Sequence, residues 1–281
     1  MFGKEIIDKM KAAFCNEMFE SWKLPDVFKC AAEVGYHGVE IAPFTVAESV
    51  ESVSSKERVE IRRAAEKNKV EIVGLHWLLV SPKGLYINHP DRAIRDKTRD
   101  YLMKLIEFCG DLGGKVMVFG SPKHRIVTGG LTYQEAWGLA KESFQSCLPA
   151  CEKRGVTLCI EPLAKDQTDF ITTAHDAAKL VKEINHPNFR LILDVRSAST
   201  EERSIPQLIK DVAPYLAHFH SNDDNGKGPG FGGADYPAIA AALKEVGYGG
   251  YLSVEVFDFK PDPRTIAEKS LVHLRKHFDL R

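Results

Sequence analysis

The chain has 281 residues, of which 44% are hydrophobic and 27% charged, as in an ordinary soluble globular protein with a large core. A formal net charge of -1 and an isoelectric point near 6.8 argue against non-specific attraction to nucleic acid or to an anionic membrane surface. No apolar stretch reaches the roughly 18 residues of a membrane span, and the N-terminus carries charges where a signal peptide needs an apolar run. We therefore expect a cytoplasmic protein with a small-molecule partner.

Strands and helices are predicted to alternate along the chain from residue 11. The strands are short apolar runs of the type buried in a parallel sheet, and the helices carry apolar residues at helical spacing. The predicted strands are 11–14, 38–43, 70–77, 115–119, 156–163, 189–195, 216–220 and 251–257. The predicted helices are 24–34, 54–67, 91–112, 132–153, 172–184, 205–212, 236–246 and 262–277.

Several helix ends carry recognisable signals. Thr132 and Glu135 have the spacing of a capping box. Pro206 stands in the first turn of its helix, where a missing N–H does no harm. Gly35 and Gly155 follow two of the predicted helices and are expected to end them.

About eight strand–helix units in unbroken alternation are the signature of an α/β protein with a closed (β/α)₈ TIM barrel. No linker, charge run or low-complexity tract divides the chain, so we expect one domain over residues 1–281. An open doubly wound sheet is the alternative architecture. The longest predicted loops, 81–90 and 221–235, both follow strands and are expected to lie over the site.

The six cysteines include no CxxC pair, and each stands among apolar neighbours of a predicted strand or helix. This pattern is typical of buried, reduced thiols and argues against disulfides. The residues are Cys15, Cys30, Cys109, Cys147, Cys151 and Cys159.

Four late strands each end in a residue that can bind a metal: Glu161, Asp194, His220 and Glu255. On each strand these residues fall on the opposite face from branched apolar neighbours, because side chains alternate with period two. We therefore expect all four to point into the barrel at its carboxyl end. A single glutamate at a strand end is more often a cap or an ion pair, and a lone histidine more often a core residue. Four such residues in register on consecutive strands favour a shared site.

Three carboxylates that converge without a nearby Lys or Arg on the same strand faces would repel one another unless a cation lay between them. Three carboxylates and one imidazole form an oxygen-rich set that favours Mn²⁺, Mg²⁺ or Co²⁺ over structural zinc. Four protein ligands leave positions of an octahedral ion open to substrate oxygens. The sequence therefore predicts one catalytic divalent metal ion, Mn²⁺ being the first choice.

Other polar residues are candidates for contact with a substrate. Glu40 and His76, at the ends of strands two and three, could reach substrate hydroxyls or hold a loop. Arg196 could bind a carboxylate or phosphate, or form a surface ion pair. Asp223 could support the metal site or cap the polar turn after strand seven, and His218 is expected to pack beneath His220.

Two apolar or flexible features could shape the same site. The glycine-rich run 226–233 lacks the spacing of a P-loop and is interpreted as a lid. Trp77 could form an apolar wall for a substrate ring or could simply pack.

At the motifs GVEIAP, IEPL, LDV, HFHSND and VEVF the chain resembles the xylose-isomerase-like TIM-barrel superfamily, in particular its sugar (phosphate) isomerase/epimerase branch. That branch includes ketohexose 3-epimerases, hydroxypyruvate isomerases and inosose dehydratases. The resemblance covers almost the whole chain. It implies that Glu161, Asp194, His220 and Glu255 bind one divalent metal, and that Glu161 and Glu255 double as acid and base. It also suggests a homodimer or homotetramer.

Two positions depart from the ketohexose 3-epimerase pattern. Those enzymes have a His three residues after the strand-six Asp and a Glu six residues after the strand-five Glu, where this chain has Ser197 and Gln167. The resemblance thus supports the metal site without extending to ketohexose specificity. The endonuclease IV branch needs the same strand-six His for a three-metal cluster, so DNA repair is not expected.

The expected chemistry is proton transfer at a carbon next to a carbonyl group. Chelation of a sugar carbonyl and its adjacent hydroxyl by a metal acidifies the C–H between them and leads to an enediolate. Two carboxylates can then remove and return a proton, so we predict a metal-dependent isomerase or epimerase acting on a keto-sugar or related polyol carbonyl compound. The alternatives are a lyase or dehydratase acting on a keto-sugar or 3-keto-glycoside, and a non-enzymatic sugar-binding protein.

Overall fold

The computed structural model describes residues 9–281, and the strands found there close into a single barrel in chain order. They are β1 (Lys11–Cys15), β2 (Gly38–Ile41), β3 (Glu71–Leu75), β4 (Val116–Phe119), β5 (Thr157–Ile160), β6 (Phe189–Asp194), β7 (Leu216–Ser221) and β8 (Tyr251–Val254). Each pairs in parallel with the next, and β8 pairs with β1. This confirms the predicted (β/α)₈ barrel and excludes the open doubly wound sheet.

Helices follow the strands and form the outer layer. They are α1 (Leu24–Val34), α2 (Ser55–Lys67), α3 (Arg92–Leu112), α4 (Tyr133–Arg154), α5 (Ala174–Ile184), α6 (Val195–Ala198), α7 (Ile205–Val212), α8 (Tyr236–Glu245) and α9 (Pro263–His277). The short α6 was not predicted, because its four residues are too few to show helical periodicity. Among residues 9–281, no helix is long and apolar enough to span a bilayer. Residues 1–8, whose charges are part of the argument against a signal peptide, lie outside the described residues.

Local signals set the helix bounds largely as predicted. Thr132 accepts a hydrogen bond from the backbone N–H of Glu135, and the Glu135 carboxylate accepts one from the backbone N–H of Thr132, which completes the capping box. Gly155 ends α4 with a φ of 61°, a left-handed conformation that glycine adopts without strain.

The apolar core lies mainly between the strands and the helical layer, while a small second cluster fills the inside of the barrel. That inner cluster consists of Val118, Cys159 and Ile192. The six cysteines are free and buried, as predicted. Above the inner cluster the barrel interior becomes polar, and this change in lining defines where the candidate site lies.

Five of the described strands, β2, β3, β5, β6 and β8, end one to three residues earlier than predicted. β5 stops at Ile160 and β8 at Val254, so that Glu161 and Glu255 are the first residues beyond their strands. Both side chains still point toward the barrel axis. The segment 81–90 contains no helix or strand, as expected, whereas the turn after β7 begins only at Asn222.

Candidate active site

Four side chains that the sequence predicts to share a cation meet at the carboxyl end of the barrel. Glu161 follows β5, Asp194 is the last residue of β6, His220 lies in β7, and Glu255 follows β8. One ligand atom from each lies within 4.8 Å of those of the other three, and all four side chains are buried. They converge at one point instead of facing the helical layer.

The strand register explains why they converge. Asp194 is paired with His220 across β6 and β7, and His220 is paired with Ser253 across β7 and β8. Because residues two apart on a strand share a face, Glu255 points to the same side as Ser253. Neighbouring strands therefore present these candidate ligands at the same height in the barrel.

Hydrogen bonds hold the Asp194 carboxylate in place. The Asn222 side-chain amide donates to Oδ2 of Asp194 at 2.5 Å, and the Ser197 backbone N–H donates to Oδ1 at 2.8 Å. Asn222 is itself fixed, because its Oδ1 accepts from the backbone N–H of Arg196 at 2.8 Å. The sequence reading missed Asn222, although an amide two residues after His220 is a plausible partner for a neighbouring carboxylate.

Glu161 is positioned by a glycine and by a buried arginine. A Cβ atom added at Gly120 would collide with Oε2 of Glu161, so the glycine leaves room for the carboxylate. The guanidinium of Arg125, fully buried, donates to the backbone carbonyl of Glu161 at 2.7 Å. Burial lowers the pKa of Arg125 to about 10. Arg125 lies in an irregular connection after β4, where sequence periodicity carries no signal.

Burial and mutual repulsion among the carboxyl groups shift the pKa values of this set. Burial raises the pKa of Glu161 well above its ordinary value, and the neighbouring Glu255 charge raises it further. The same two causes raise the pKa of Asp194 to about 6. Burial also acts against the Glu255 charge, but His220 and His76 lower the pKa of Glu255 to about 2. A cation among these carboxylates would relieve their repulsion.

The donor set fits a hard divalent ion. Opposite ligands of an octahedral Mg²⁺ ion bound at about 2.1 Å are about 4.2 Å apart, close to the 4.8 Å limit within which these ligand atoms lie. Three carboxylates and one imidazole are oxygen-rich, which suits Mn²⁺, Mg²⁺ or Co²⁺ better than a thiolate-binding structural zinc ion. The residues present therefore fit the predicted metal.

A buried carboxylate lies directly beneath His220. Oε2 of Glu40 accepts hydrogen bonds from Nε2 of His218 at 2.9 Å and from Nε2 of His220 at 3.2 Å. Burial opposes the charge on Glu40, but the two imidazoles hold its pKa well below its ordinary value. With Nε2 of His220 engaged, its Nδ1 faces Glu255 Oε2 at 3.1 Å. His218 packs beneath His220, as expected, with ring centroids 5.2 Å apart.

Glu40 was predicted to contact substrate, and that role stays a prediction. The side chain is fully buried, and its described hydrogen bonds are with His218, with the candidate ligand His220 and with the Cys15 thiol. The geometry thus gives Glu40 a different immediate task, the orientation of His220.

His76 connects the ligand cluster to a second buried carboxylate. Its Nδ1 lies 3.2 Å from Oε1 of Glu255, and its Nε2 lies 3.0 Å from Oε2 of Glu17. Burial lowers the pKa of His76, but Cys15 and Glu17 outweigh it and raise the pKa well above its ordinary value. The sequence reading missed Glu17. A search for polar residues just after the end of the first strand would have found Glu17.

Arg196 lies beside the site and already has partners. One guanidinium nitrogen is 3.0 Å from Asp166, and the guanidinium carbon lies 5.6 Å from the centroid of the Phe257 ring. Its predicted contact with substrate stays a prediction. The structure gives Arg196 both an ion pair and a cation–π contact.

Asp223 organises the turn after β7. Its carboxylate accepts backbone hydrogen bonds at 2.8–2.9 Å from Gly230, Gly232 and Ala234. Of the two alternatives considered for Asp223, the structure therefore shows the capping role. The glycine-rich run is tied back onto this carboxylate, next to the site.

A narrow cavity opens directly above the ligands, with a volume of about 20 Å³. Its walls include His76, Trp77, Gln167 and Phe257. Oε1 of Gln167 lies 3.5 Å from Oγ of Ser197. The two positions at which the chain departs from the ketohexose 3-epimerase pattern are thus in contact with each other.

Comparison with known proteins agrees with this fold. A family model described as Xylose isomerase-like TIM barrel matches residues 28–277, so the chain belongs to that family. This match confirms the resemblance drawn from the sequence motifs.

The curated relatives carry the names of sugar epimerases. D-psicose 3-epimerase of Ruminiclostridium cellulolyticum is 33% identical over 121 residues, which are 43% of this chain and 41% of that protein. The chain therefore matches only about two fifths of that relative's length. The 3-dehydro-D-guloside 4-epimerase of Escherichia coli is 23% identical over 275 residues, which are 95% of this chain and 99% of that protein.

Solved structures of similar proteins share the barrel. A crystal structure of D-psicose 3-epimerase in the presence of D-fructose has a TM-score of 0.86 at 20% identity, covering 95% of this chain and 99% of that one. The apo 3-keto-D-glucoside 4-epimerase of E. coli has a TM-score of 0.83 at 21% identity, covering 95% of this chain and all of that one. At such identities the likeness establishes the fold.

Proposed function

We propose that the protein is a divalent-metal-dependent sugar epimerase or isomerase that acts on a keto-sugar or related polyol carbonyl compound. The observation that carries the proposal is the convergence of Glu161, Asp194, His220 and Glu255 within 4.8 Å at the barrel mouth. The names of the relatives, psicose and guloside epimerases, support the same class of reaction.

The metal would be held by these four residues, with Mn²⁺ preferred and Mg²⁺ or Co²⁺ as alternatives. When bound, it would stabilise the negative charge that develops on the oxygens of the substrate enediolate. His220 would bind through Nδ1, because Nε2 is hydrogen-bonded to Glu40. Asn222 would keep the Asp194 carboxylate in its binding orientation.

Glu161 and Glu255 would move the protons. They approach the ligand cluster from different strands, β5 and β8, so each can face a different side of a sugar carbon. One carboxylate removes the proton next to the carbonyl, and the other returns a proton to the opposite face. Return to the same carbon gives an epimer, and return to the neighbouring carbon gives an aldose–ketose isomer.

The substrate is expected to be a sugar derivative whose recognition differs from that of the ketohexose 3-epimerases. Gln167 lines the cavity over the ligands and contacts Ser197, the two positions at which the family pattern is lost. A small sugar partner in the cytoplasm, and a dimeric or tetrameric assembly, belong to the same proposal.

Hydrogen exchange tests the reaction class directly. The purified protein with Mn²⁺ in D₂O is expected to incorporate deuterium next to the carbonyl of at least one member of a panel of ketoses and keto-glycosides. Absence of exchange throughout the panel, with each of Mn²⁺, Mg²⁺ and Co²⁺, would contradict the proposal. In a parallel reaction in H₂O, a product of unchanged mass identifies an epimer or isomer, whereas released water or aglycone identifies a lyase.

Two variants test the residue roles. Glu161→Gln and Glu255→Gln should each lower the exchange rate by about 10² to 10⁴-fold, the usual contribution of a positioned acid or base. Metal content, measured on the same samples, separates loss of proton transfer from loss of the ion. Glu60→Gln, at a glutamate whose side chain is 60% exposed, is the matched control and should behave as the wild type.

A further inference from the structure

A large cleft lies beside the narrow cavity over the candidate ligands. Its volume is about 690 Å³, within the range of about 300 to 1,000 Å³ typical of small-molecule sites. Of the large apolar side chains exposed within residues 9–281, three line this cleft: Trp22, Phe44 and Phe257, with 44%, 39% and 41% of their surface accessible. Such a concentration of exposed aromatic rings on one cleft indicates a binding surface.

The cleft is continuous with the candidate active site. Trp77 and Phe257 line both cavities, and their ring centroids are 6.4 Å apart. Trp77 directly follows His76, and Phe257 stands two residues after Glu255. These two rings form the partition between the ligand cluster and the cleft, so a group attached to the reacting sugar would pass between them.

The backbone supports this placement of Trp77. Its φ is 52°, a left-handed conformation that is rare for a bulky aromatic residue. Strained backbone of this kind persists only where the surrounding structure enforces it, and it clusters at functional sites. The indole is therefore held at the partition instead of relaxing into the core.

The lining selects the chemistry of the occupant. Besides the residues named above, the walls include Phe19, Phe259, Val80 and Val256, with Glu17, Glu20, Ser21 and Thr45 as the polar members. None of the described residues that line the cleft is a lysine or arginine. A wall with two carboxylates and no Lys or Arg disfavours a phosphate group, whereas aromatic walls favour a flat apolar one.

We propose that this cleft binds an uncharged aromatic aglycone, so that the substrate is an aryl glycoside of the keto-sugar and not a free or phosphorylated monosaccharide. This inference rests on the proposed function, because that function sets where the reacting sugar ring lies. The sugar lies at the mouth of the narrow cavity that Glu161 and Glu255 line, and the aglycone reaches past Trp77 to stack against Trp22 and Phe44.

Binding of a matched pair of unreactive glycosides tests the cleft alone. Phenyl β-D-glucopyranoside should bind about tenfold more tightly than methyl β-D-glucopyranoside, as titrated by saturation-transfer NMR with diamagnetic Mg²⁺ present, since one well-stacked ring supplies about that factor. Trp22→Ala and Phe44→Ala should each remove most of this difference. Val272→Ala, at an apolar side chain that is 71% exposed outside the cleft, is the control and should keep it.

Several outcomes would overturn the inference. Equal affinity for the two glycosides would do so, as would a phenyl preference that survives both cleft variants. A change in oligomeric state on Trp22→Ala, measured by sedimentation, would show that a second copy of the chain covers the rings. Because these glucosides carry no carbonyl, their binding is measured whether or not the protein catalyses exchange, and the panel of ketoses and keto-glycosides in D₂O tests the catalytic proposal separately.

Discussion

Nε2 of His220 lies 3.2 Å from Oε2 of Glu40 inside the barrel, and neither side chain is exposed to solvent. This hydrogen bond fixes which ring nitrogen is available to the carboxylates above. Histidines that ligate metals generally donate their other N–H to a carboxylate or carbonyl, which sets the tautomer and the ring orientation. Glu40 therefore occupies the position of a supporting group for the imidazole that would bind the proposed metal.

Replacing Glu40 with glutamine should weaken metal binding. Glutamine keeps the shape but loses the charge, and loss of such a supporting partner typically lowers metal affinity by about 10 to 100-fold. Isothermal titration of the metal-free protein with Mn²⁺ measures the change. An affinity equal to that of the wild type would show that Glu40 does not act through His220, and Glu60→Gln provides the exposed control.

Adding metal should stabilise the fold. An ion that binds only the folded state contributes about 2.7 kcal/mol when its free concentration is 100 times the dissociation constant. Thermal unfolding, followed by circular dichroism before and after chelation, should show a higher midpoint with Mn²⁺. Asp194→Asn should lose most of this increase because it removes one anionic ligand. A midpoint unaffected by chelation and by added metal would contradict the site.

The ligand cluster could be predicted from sequence because it depends on two regular rules. Side chains alternate along a strand, and parallel strands in a barrel bring their carboxyl ends together. A residue such as Asp194, on the inward face at the end of β6, is therefore placed by its position in the chain alone. The same reasoning located His220 and Glu255 without any knowledge of their partners.

The supporting residues were harder to predict because irregular segments place them. Arg125 reaches the Glu161 carbonyl from a connection with no periodicity, and Glu17 reaches His76 from a single turn after β1. The aromatic cleft likewise joins residues from four separate loops. Such contacts depend on the course of each loop through space, which hydrophobic spacing does not encode.

The cysteines should be unreactive in the folded protein. The thiolate is the reactive form, and burial raises the pKa of Cys15 to about 11 and those of Cys147 and Cys151 to about 12. At pH 8 a thiol with a pKa near 11 is about 0.1% ionised. A disulfide reagent should therefore label almost no thiol in the native protein. After unfolding in guanidinium it should label all six thiols. Rapid labelling of a native cysteine would contradict this burial.

A pair of glycine substitutions separates activity from stability. Gly120→Ala places a Cβ against Oε2 of Glu161, and the carboxylate must move to make room. Because that oxygen is the end of a flexible side chain, the fold should survive, while deuterium exchange and metal affinity should fall. Gly138→Ala, in α4, meets no atom within 4 Å and should leave activity unchanged while gaining up to about 1 kcal/mol of helix stability. The comparison is made by measuring the unfolding midpoint and the deuterium exchange rate of both variants. A Gly120→Ala variant that exchanges at the wild-type rate would show that the position of Glu161 is not critical to the chemistry.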